Sequence, residues 1–503
     1  MTKIGFVLDQ RSCIGCHACT VACKQEHGVE LGVFRTWVKY VETGTFPDVK
    51  RNFSVMRCNH CEDAPCVAIC PTKALFKRED GVVDFDSDRC IGCKACMNAC
   101  PYDALYIDPQ TQTAAKCNFC AHRLDEGLKP SCEIVCPTQA ITSGDLDDPD
   151  SEVSRLIDTV PSRVRAPEQG TRPQVFYLGV HDAAIDPLAI AQGREYLSQI
   201  PDSQREKLRP LKDEGTATTV SDIAHPPPWG WKVSSYFLSK GVAAGAMMLA
   251  VLLLVVGADG SALADVVPGA VALAGIAVTG LFLVWDLKQP TRFYYLFTKP
   301  QRRSWLALGA QVINLAAIVA LVFTVAAILD LDGLRDALRW AMVPAGAALA
   351  GYTALLFNQC EGRDLWQSPL LLPHTIVNAL LAGAGTLAVA ALFFDVSADI
   401  EDALAWSLGL AAALSGAIAL LDAYGRHPTR QAERAAKNLR RDLYARPFRA
   451  GLLLGALVPA AVAAAVLAGA PSALLAGGGV VALVGLWLYE DAWVRAGQSV
   501  PLS

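Results

Sequence analysis

Sixteen cysteines in four tight groups constrain this chain more than any other feature of it. They are Cys13, Cys16, Cys19 and Cys23; Cys58, Cys61, Cys66 and Cys70; Cys90, Cys93, Cys96 and Cys100; and Cys117, Cys120, Cys132 and Cys136. Three closely spaced thiolates can wrap three corners of an iron–sulfur cube. A fourth, followed by proline, turns away to serve the other cluster of a pair. Pro71, Pro101 and Pro137 follow the last cysteines of the second, third and fourth groups. Four groups of four therefore predict four [4Fe–4S] clusters in two ferredoxin-like modules. Zinc favours two separated Cys pairs, often with His, over four cysteines within the eleven residues from Cys13 to Cys23. Disulfides suit small exported domains, and the stretch from Met1 to Asp9 lacks the apolar core of a signal peptide. Short alternating runs such as residues 81–86 suit the hairpins of a ferredoxin module. The seventeenth cysteine, Cys360, stands alone and reads as a small apolar residue.

Composition divides the 503 residues into two parts. Overall, 52% are hydrophobic and 18% charged, too apolar for a wholly soluble chain. Residues 1–228 carry a net charge of −7 and residues 229–503 one of +2, and the total of −5 argues against a nucleic-acid partner. The second part holds eight apolar stretches near the ~17–25 residues a bilayer span needs: 233–257, 264–286, 304–329, 338–358, 370–394, 403–422, 448–468 and 472–490. Trp229, Trp231, Tyr294, Tyr295 and Trp305 fall at the edges of these stretches, where amphipathic rings meet lipid headgroups. The expected architecture is an α+β four-cluster ferredoxin-like domain (1–180), a linker (181–228) and an all-α eight-helix transmembrane bundle (229–503) in membrane lipid. Residues 141–228 as a whole read as a polar, surface-packed tether, with one strand-like run at 174–179 and a stiff triple proline at 226–228.

The cysteine pattern of residues 1–180 resembles the four-cluster electron-transfer subunit of the dimethyl-sulfoxide-reductase and polysulfide-reductase family. That resemblance implies the ligand sets. Cys13, Cys16 and Cys19 would join Cys136, and Cys117, Cys120 and Cys132 would join Cys23. Cys58, Cys61 and Cys66 would join Cys100, and Cys90, Cys93 and Cys96 would join Cys70. Lys24 departs from the pattern, standing where the other groups have proline. Residues 229–503 are similar to the NrfD-like membrane subunits. The match is carried by Trp229-Gly-Trp, Tyr236 to Gly245, Asp286 to Phe293, and Ala496 to Ser503. The resemblance implies two subunits fused in one chain. It further implies a separate molybdopterin catalytic subunit, and electron exchange with ubiquinone or menaquinone.

A quinone site needs polar groups in a mostly apolar pocket, and an ionisable residue within a span is a functional hypothesis by default. The candidates are Trp231, Tyr236, Lys240, Asp286 and Arg292. Lys240 lies about 13 Å along the first span from Trp231. It reads either as a quinone or proton-path contact, or as a lysine that snorkels or pairs with an acid such as Asp286. Asp286 and Arg292 read as quinone contacts or as an ion-paired turn. His374, with Asn378 one turn on, reads as a hydrogen-bonded packing residue. Only His374 and His427 occur in residues 229–503, so no haem is expected.

Eight spans put both chain ends on one side. That side gathers sixteen Lys and Arg, against Arg335 and Arg339 on the other. The positive-inside rule then places the cluster domain in the cytoplasm, whereas polysulfide reductases face outward, so sulfite-oxidising relatives become the nearer analogy. The function expected is an electron-transfer and anchor subunit at the inner membrane, with no catalytic residues of its own. The alternative is a redox-coupled proton-translocating module with Lys240 and Asp286 on the ion path.

Overall fold

The computed structural model describes residues 3–190, 217–256 and 261–503. It contains two compact units. One comprises Met1–Pro228 with Cys360–Gly362 and Pro501–Ser503; the other comprises Trp229–Gln359 and Arg363–Val500.

The first unit is built on small sheets. The Ile4–Asp9 strand pairs antiparallel with Ile141–Asp145 and parallel with Val175–Leu178. A ten-residue hairpin arm, Thr36–Thr45, pairs with Asp48–Arg57 and, on its other edge, with Thr218–Ser221. Two-stranded ribbons, Leu75–Lys77 with Val83–Phe85 and Leu105–Ile107 with Ala114–Lys116, belong to the expected ferredoxin hairpins. Phe6, Leu8, Val38, Val55, Phe119, Val175 and Tyr177 form the core between these layers.

The tether expected at 141–228 is not a surface tether in its described parts. Two of its strands flank Ile4–Asp9, and Val175, Tyr177 and Leu178 are fully buried. The alternating run at 174–179 has the period of a half-buried strand, and burial of that face draws it into the sheet. Asp182–Ile185 is a short helix and Thr218–Ser221 completes the hairpin sheet; residues 191–216 of the expected linker lie outside the described residues.

The second unit is a helical bundle with eight helices long and apolar enough to cross a membrane. They run Trp231–Val255, Ala262–Asp286, Trp305–Ile328, Asp332–Asn358, Leu371–Phe393, Ala398–Tyr424, Ala445–Leu467 and Leu474–Gly497. All eight stretches expected from hydropathy are present. The fourth begins six residues earlier than expected and the eighth ends seven later: Arg335, Arg339 and Glu490 are buried there, while Asp332, Asp336 and Arg495 face outward. Arg335 and Arg339 pair with Asp265.

The fifth helix packs closely against the first and the eighth. A Cβ on Gly245 would lie 1.9 Å from the Ala379 carbonyl and 2.7 Å from the Gly383 nitrogen, and one on Gly479 would lie 2.3 Å from the Gly385 carbonyl. Small residues at such crossings let helix backbones approach, since lipid offers no hydrophobic drive between spans. The basic stretch between the sixth and seventh spans contains a helix, Arg430–Arg440, capped by the Thr429 side chain and burying Ala432, Ala435, Ala436 and Leu439.

Candidate functional site

In the first and third cysteine groups the loop reverses twice. Gly15 and His17, and likewise Gly92 and Lys94, have positive φ, two and four residues after the first cysteine. Left-handed residues curl such loops so that thiols and N–H groups face one centre. Helices then carry the later cysteines. Cys70 and Cys100 terminate Pro65–Ile69 and Ala95–Ala99, where Pro71 and Pro101 forbid another turn. Lys24 replaces proline because the first group's helix, Ala18–His27, runs on beyond Cys23. Its ammonium donates to the carbonyls of Glu30 (2.7 Å) and Val33 (2.6 Å).

The folded chain gathers the cysteines across groups. Cys13 and Cys19 both neighbour Cys136, and Cys13 also neighbours Cys16. Cys23 lies with Cys117, Cys132 and Cys120. Cys61 and Cys66 lie with Cys58 and Cys100, while Cys93 and Cys96 lie with Cys90 and Cys70. A small pocket, partly open to solvent, is lined by Cys70, Cys90, Cys93 and Cys96 together with Pro71 and Ile91.

Burial pushes the Cys19 and Cys100 thiols up to about 11 and those of Cys61 and Cys93 up to about 12. Thiolates held so far from water need a compensating positive centre, which iron provides. Backbone N–H groups point at several sulfurs: Ala140 at Cys136 (3.2 Å), Leu75 at Cys70 and Ala114 at Cys90 (both 3.4 Å). Such N–H···S bonds suit a negatively charged cluster. The donor set, its burial and the pocket fit iron–sulfur groups.

Three groups beside the cysteines escaped the sequence reading. The Arg57 guanidinium donates to Cys132 Sγ (3.4 Å), His27 Nε2 sits 3.2 Å from Cys120 Sγ, and the buried Lys116 ammonium donates to the Val83 and Cys117 carbonyls. Arg57 and Lys116 stand directly before Cys58 and Cys117. That adjacency was the available signal.

The five membrane residues do not converge on one point. Trp231 and Lys240 are nine residues apart, hence on opposite faces of the first helix at 100° per residue. Trp231 is 43% exposed and meets Trp285 and Phe282 edge-on. Tyr236 and Lys240 are buried. Asp286 ends the second span, and Arg292 lies in the 3-10 turn Pro290–Arg292 that follows. Lys240 turns to the fourth span, donating to Thr353 Oγ1 and the Ala350 carbonyl (3.3 Å). The acid acting on it is Glu490 of the eighth span, rather than Asp286.

From Glu490 a line of buried polar groups crosses the bundle. Asn378 donates to Glu490 Oε1 (3.5 Å), and Ser415 donates to Asn378 Oδ1 (2.7 Å). The Tyr489 hydroxyl lies 3.4 Å from His374 Nδ1, and Trp493 donates to Asp422 (3.1 Å). His374 is thus hydrogen-bonded and ring-stacked, as its packing role required. Glu490 was missed because its neighbours Asp491 and Arg495 make the end of that span look like a loop.

The motif residues have structural partners too. The Gln498 side-chain amide accepts from the Trp229 nitrogen (2.9 Å) and donates to the Trp229 carbonyl (3.0 Å). The entrance of the first span is thereby tied to the exit of the eighth. A Cβ on Gly497 would collide with the Trp366 ring.

A cysteine-rich domain fitted to iron–sulfur groups, joined to an eight-helix bundle, defines a membrane-bound electron-transfer protein. Residues 49–146 match the 4Fe-4S dicluster domain and residues 219–500 match the polysulphide reductase, NrfD family. The chain belongs to that NrfD family, with the iron–sulfur electron-transfer subunit fused ahead of it. The first part is 44% identical over 192 residues to the B subunit of tetrathionate reductase from Salmonella typhimurium, covering 37% of this chain and 76% of that one. It is 42% identical over 177 residues to the B component of polysulfide reductase from Wolinella succinogenes (35% and 93%). It is also 37% identical over 248 residues to the B subunit of sulfite dehydrogenase from Allochromatium vinosum (44% and 100%).

Proposed function

We propose that this chain holds four [4Fe–4S] clusters and relays electrons between a separate molybdopterin catalytic subunit and the quinone pool of the inner membrane. The observation that carries the reading is that cysteines neighbour one another across the groups: Cys13 and Cys19 with Cys136, Cys23 with Cys117, Cys120 and Cys132, Cys61 and Cys66 with Cys100, and Cys93 and Cys96 with Cys70. The ligand sets are Cys13, Cys16, Cys19 and Cys136; Cys23, Cys117, Cys120 and Cys132; Cys58, Cys61, Cys66 and Cys100; and Cys70, Cys90, Cys93 and Cys96. Each cluster, when bound, carries one electron at a time.

The chain's own residues supply the rest. Burial keeps water from most of the sulfurs, Cys16 being exposed, and N–H donors stabilise the charge of several. In the bundle, the buried Tyr236, Lys240 and Glu490 are polar groups available to a quinone, and the more exposed Trp231, Asp286 and Arg292 are further candidate contacts. Quinone chemistry moves two protons with two electrons, and Lys240 and Glu490 are groups able to hold one. The similarity to subunits of tetrathionate, arsenate, polysulfide and sulfite enzymes supports an oxidoreductase partner. The basic loops support a cytoplasmic cluster domain.

Purification of the intact complex tests this. About sixteen irons per chain, a pterin-bearing large subunit and quinone-dependent reoxidation are expected; a few zincs, or no pterin partner, would overturn it. A second reading, redox-driven proton translocation, is favoured by the buried polar line from Glu490 through Asn378 to Ser415, with Lys240 in the field of Glu490. Proton uptake into liposomes beyond quinone stoichiometry would establish it, and its absence would exclude it.

A further inference from the structure

Arg57 is an unusual residue for the place it occupies. It ends the Asp48–Arg57 strand and is 0% exposed, yet among the described residues no carboxylate lies within ion-pair distance of it. One arm donates to Cys132 Sγ at 3.4 Å, the plane lies 4.3 Å from the Phe6 ring centre, and Nε and Nη2 have no hydrogen-bond partner. A buried, unpaired guanidinium is costly, and leaving two of its donors unmade adds to that cost. Burial acts to lower its pKa, but the thiolates of Cys132, Cys117 and Cys19 outweigh that and hold it above the ordinary value. Its counter-charge is therefore sulfur. The three cysteines belong to two different proposed sets, so the guanidinium stands where two clusters meet.

A second fully buried cation is placed differently. Lys116 is also 0% exposed, but its ammonium has two carbonyl partners, and its field falls on Cys58 and Cys66. The 3.4 Å N–H···S bond from Arg57 thus serves the set of Cys23, Cys117, Cys120 and Cys132, while Lys116 serves Cys58. The former set also has His27 against Cys120 and Arg35 acting on Cys23.

We propose that Arg57 is a positioning residue for electrons: by its fixed charge and its N–H···S bond it raises the reduction potential of the Cys23, Cys117, Cys120 and Cys132 cluster above that of its neighbours. The inference rests on the four-cluster reading. The added electron makes a cluster more negative, and a permanent cation beside its sulfurs favours that state. One electron leaves the neighbouring cluster, which is oxidised, and arrives on this one, which is reduced. No bond forms or breaks. No proton moves, since an arginine stays protonated.

The test is an EPR-monitored redox titration of the full chain, with iron content measured in parallel. Arg57→Gln should lower the one-electron reduction constant of one couple at least tenfold, about 59 mV, with smaller changes in the other three. Arg57→Lys should restore most of the loss, and Lys116→Gln should move a different couple. Four unmoved couples, or four that fall equally, would overturn the proposal. Should Arg57→Gln not take up iron, pulsed EPR of the unaltered chain grown with ¹⁵N-arginine decides. An arginine nitrogen coupling at the first cluster to be reduced is expected, and its absence would overturn the proposal. Fewer than sixteen irons in the unaltered chain would overturn the four-cluster reading and this inference together; sixteen irons with a fixed couple would overturn this inference alone.

Discussion

Both units bury cations, and although Lys39 of the first also meets a carboxylate, Asp222, the cations beside the cysteines are neutralised by other means. In the cysteine-rich unit, Arg57 and Lys116 face sulfur and carbonyl oxygen. In the bundle, Arg335 and Arg339 face Asp265, and Lys240 is acted on by Glu490. A carboxylate is built in with the chain, whereas the full charge on sulfur comes only with iron. Carboxylate pairs such as those on Asp265 can therefore settle by folding alone, while the sulfur partner of Arg57 gains its full charge when metal arrives.

Four experiments would break or sharpen that contrast. The largest effect is expected from Cys66→Ser, which should remove about four of the sixteen irons, one whole cluster, by iron analysis and EPR. Unchanged iron would show that Cys66 is not a ligand. Next, Asp265→Leu should remove the buried carboxylate that Arg335 and Arg339 share, leaving them the more exposed Asp332 and Asp336, and cost about 3 kcal/mol, read as earlier thermal unfolding in detergent. Adding Arg335→Leu and Arg339→Leu should recover most of it, and iron content should not change.

His225 comes third. It is held between Asp103 (2.6 Å) and Asp222 (3.7 Å). Burial would lower its pKa, but the two carboxylates outweigh that and raise it to about 9. A raised histidine contributes fully below about pH 6.5, and the contribution fades as pH rises through about 9. Stability of the whole protein should fall by on the order of 3 kcal/mol between pH 6.5 and 10, and His225→Asn should flatten that fall. Equal slopes in the two proteins would refute it. The smallest effect is expected from Lys240→Met, which should slow quinone-linked turnover about tenfold, equivalent to about 1.4 kcal/mol. Cluster reduction by a soluble donor should be untouched. A loss of both activities would place Lys240 in the fold rather than at the quinone.

Periodicity and spacing made the large features legible. Eight spans follow from apolar length, and the cysteine grouping follows from ligand reach. What stayed hidden depends on distance along the chain. The strands at Ile141–Asp145 and Val175–Leu178 join Ile4–Asp9 by pairing over more than a hundred residues, which no local window reports. Glu490 looks like a span terminus until Lys240, far away in sequence, is seen to act on it. The separation of Trp231 from Lys240 was legible, since nine residues fix opposite faces.

The clasp between Trp229 and Gln498 has a consequence for how the protein is made. These residues are 269 positions apart, so the first span cannot be latched until the eighth has been synthesised. At about 5–20 residues per second, that interval is about 13–54 s. By then the whole cysteine-rich segment has already left the ribosome, while the bundle is still open. Biogenesis thus gives the metal-dependent half a head start on the half that closes by itself.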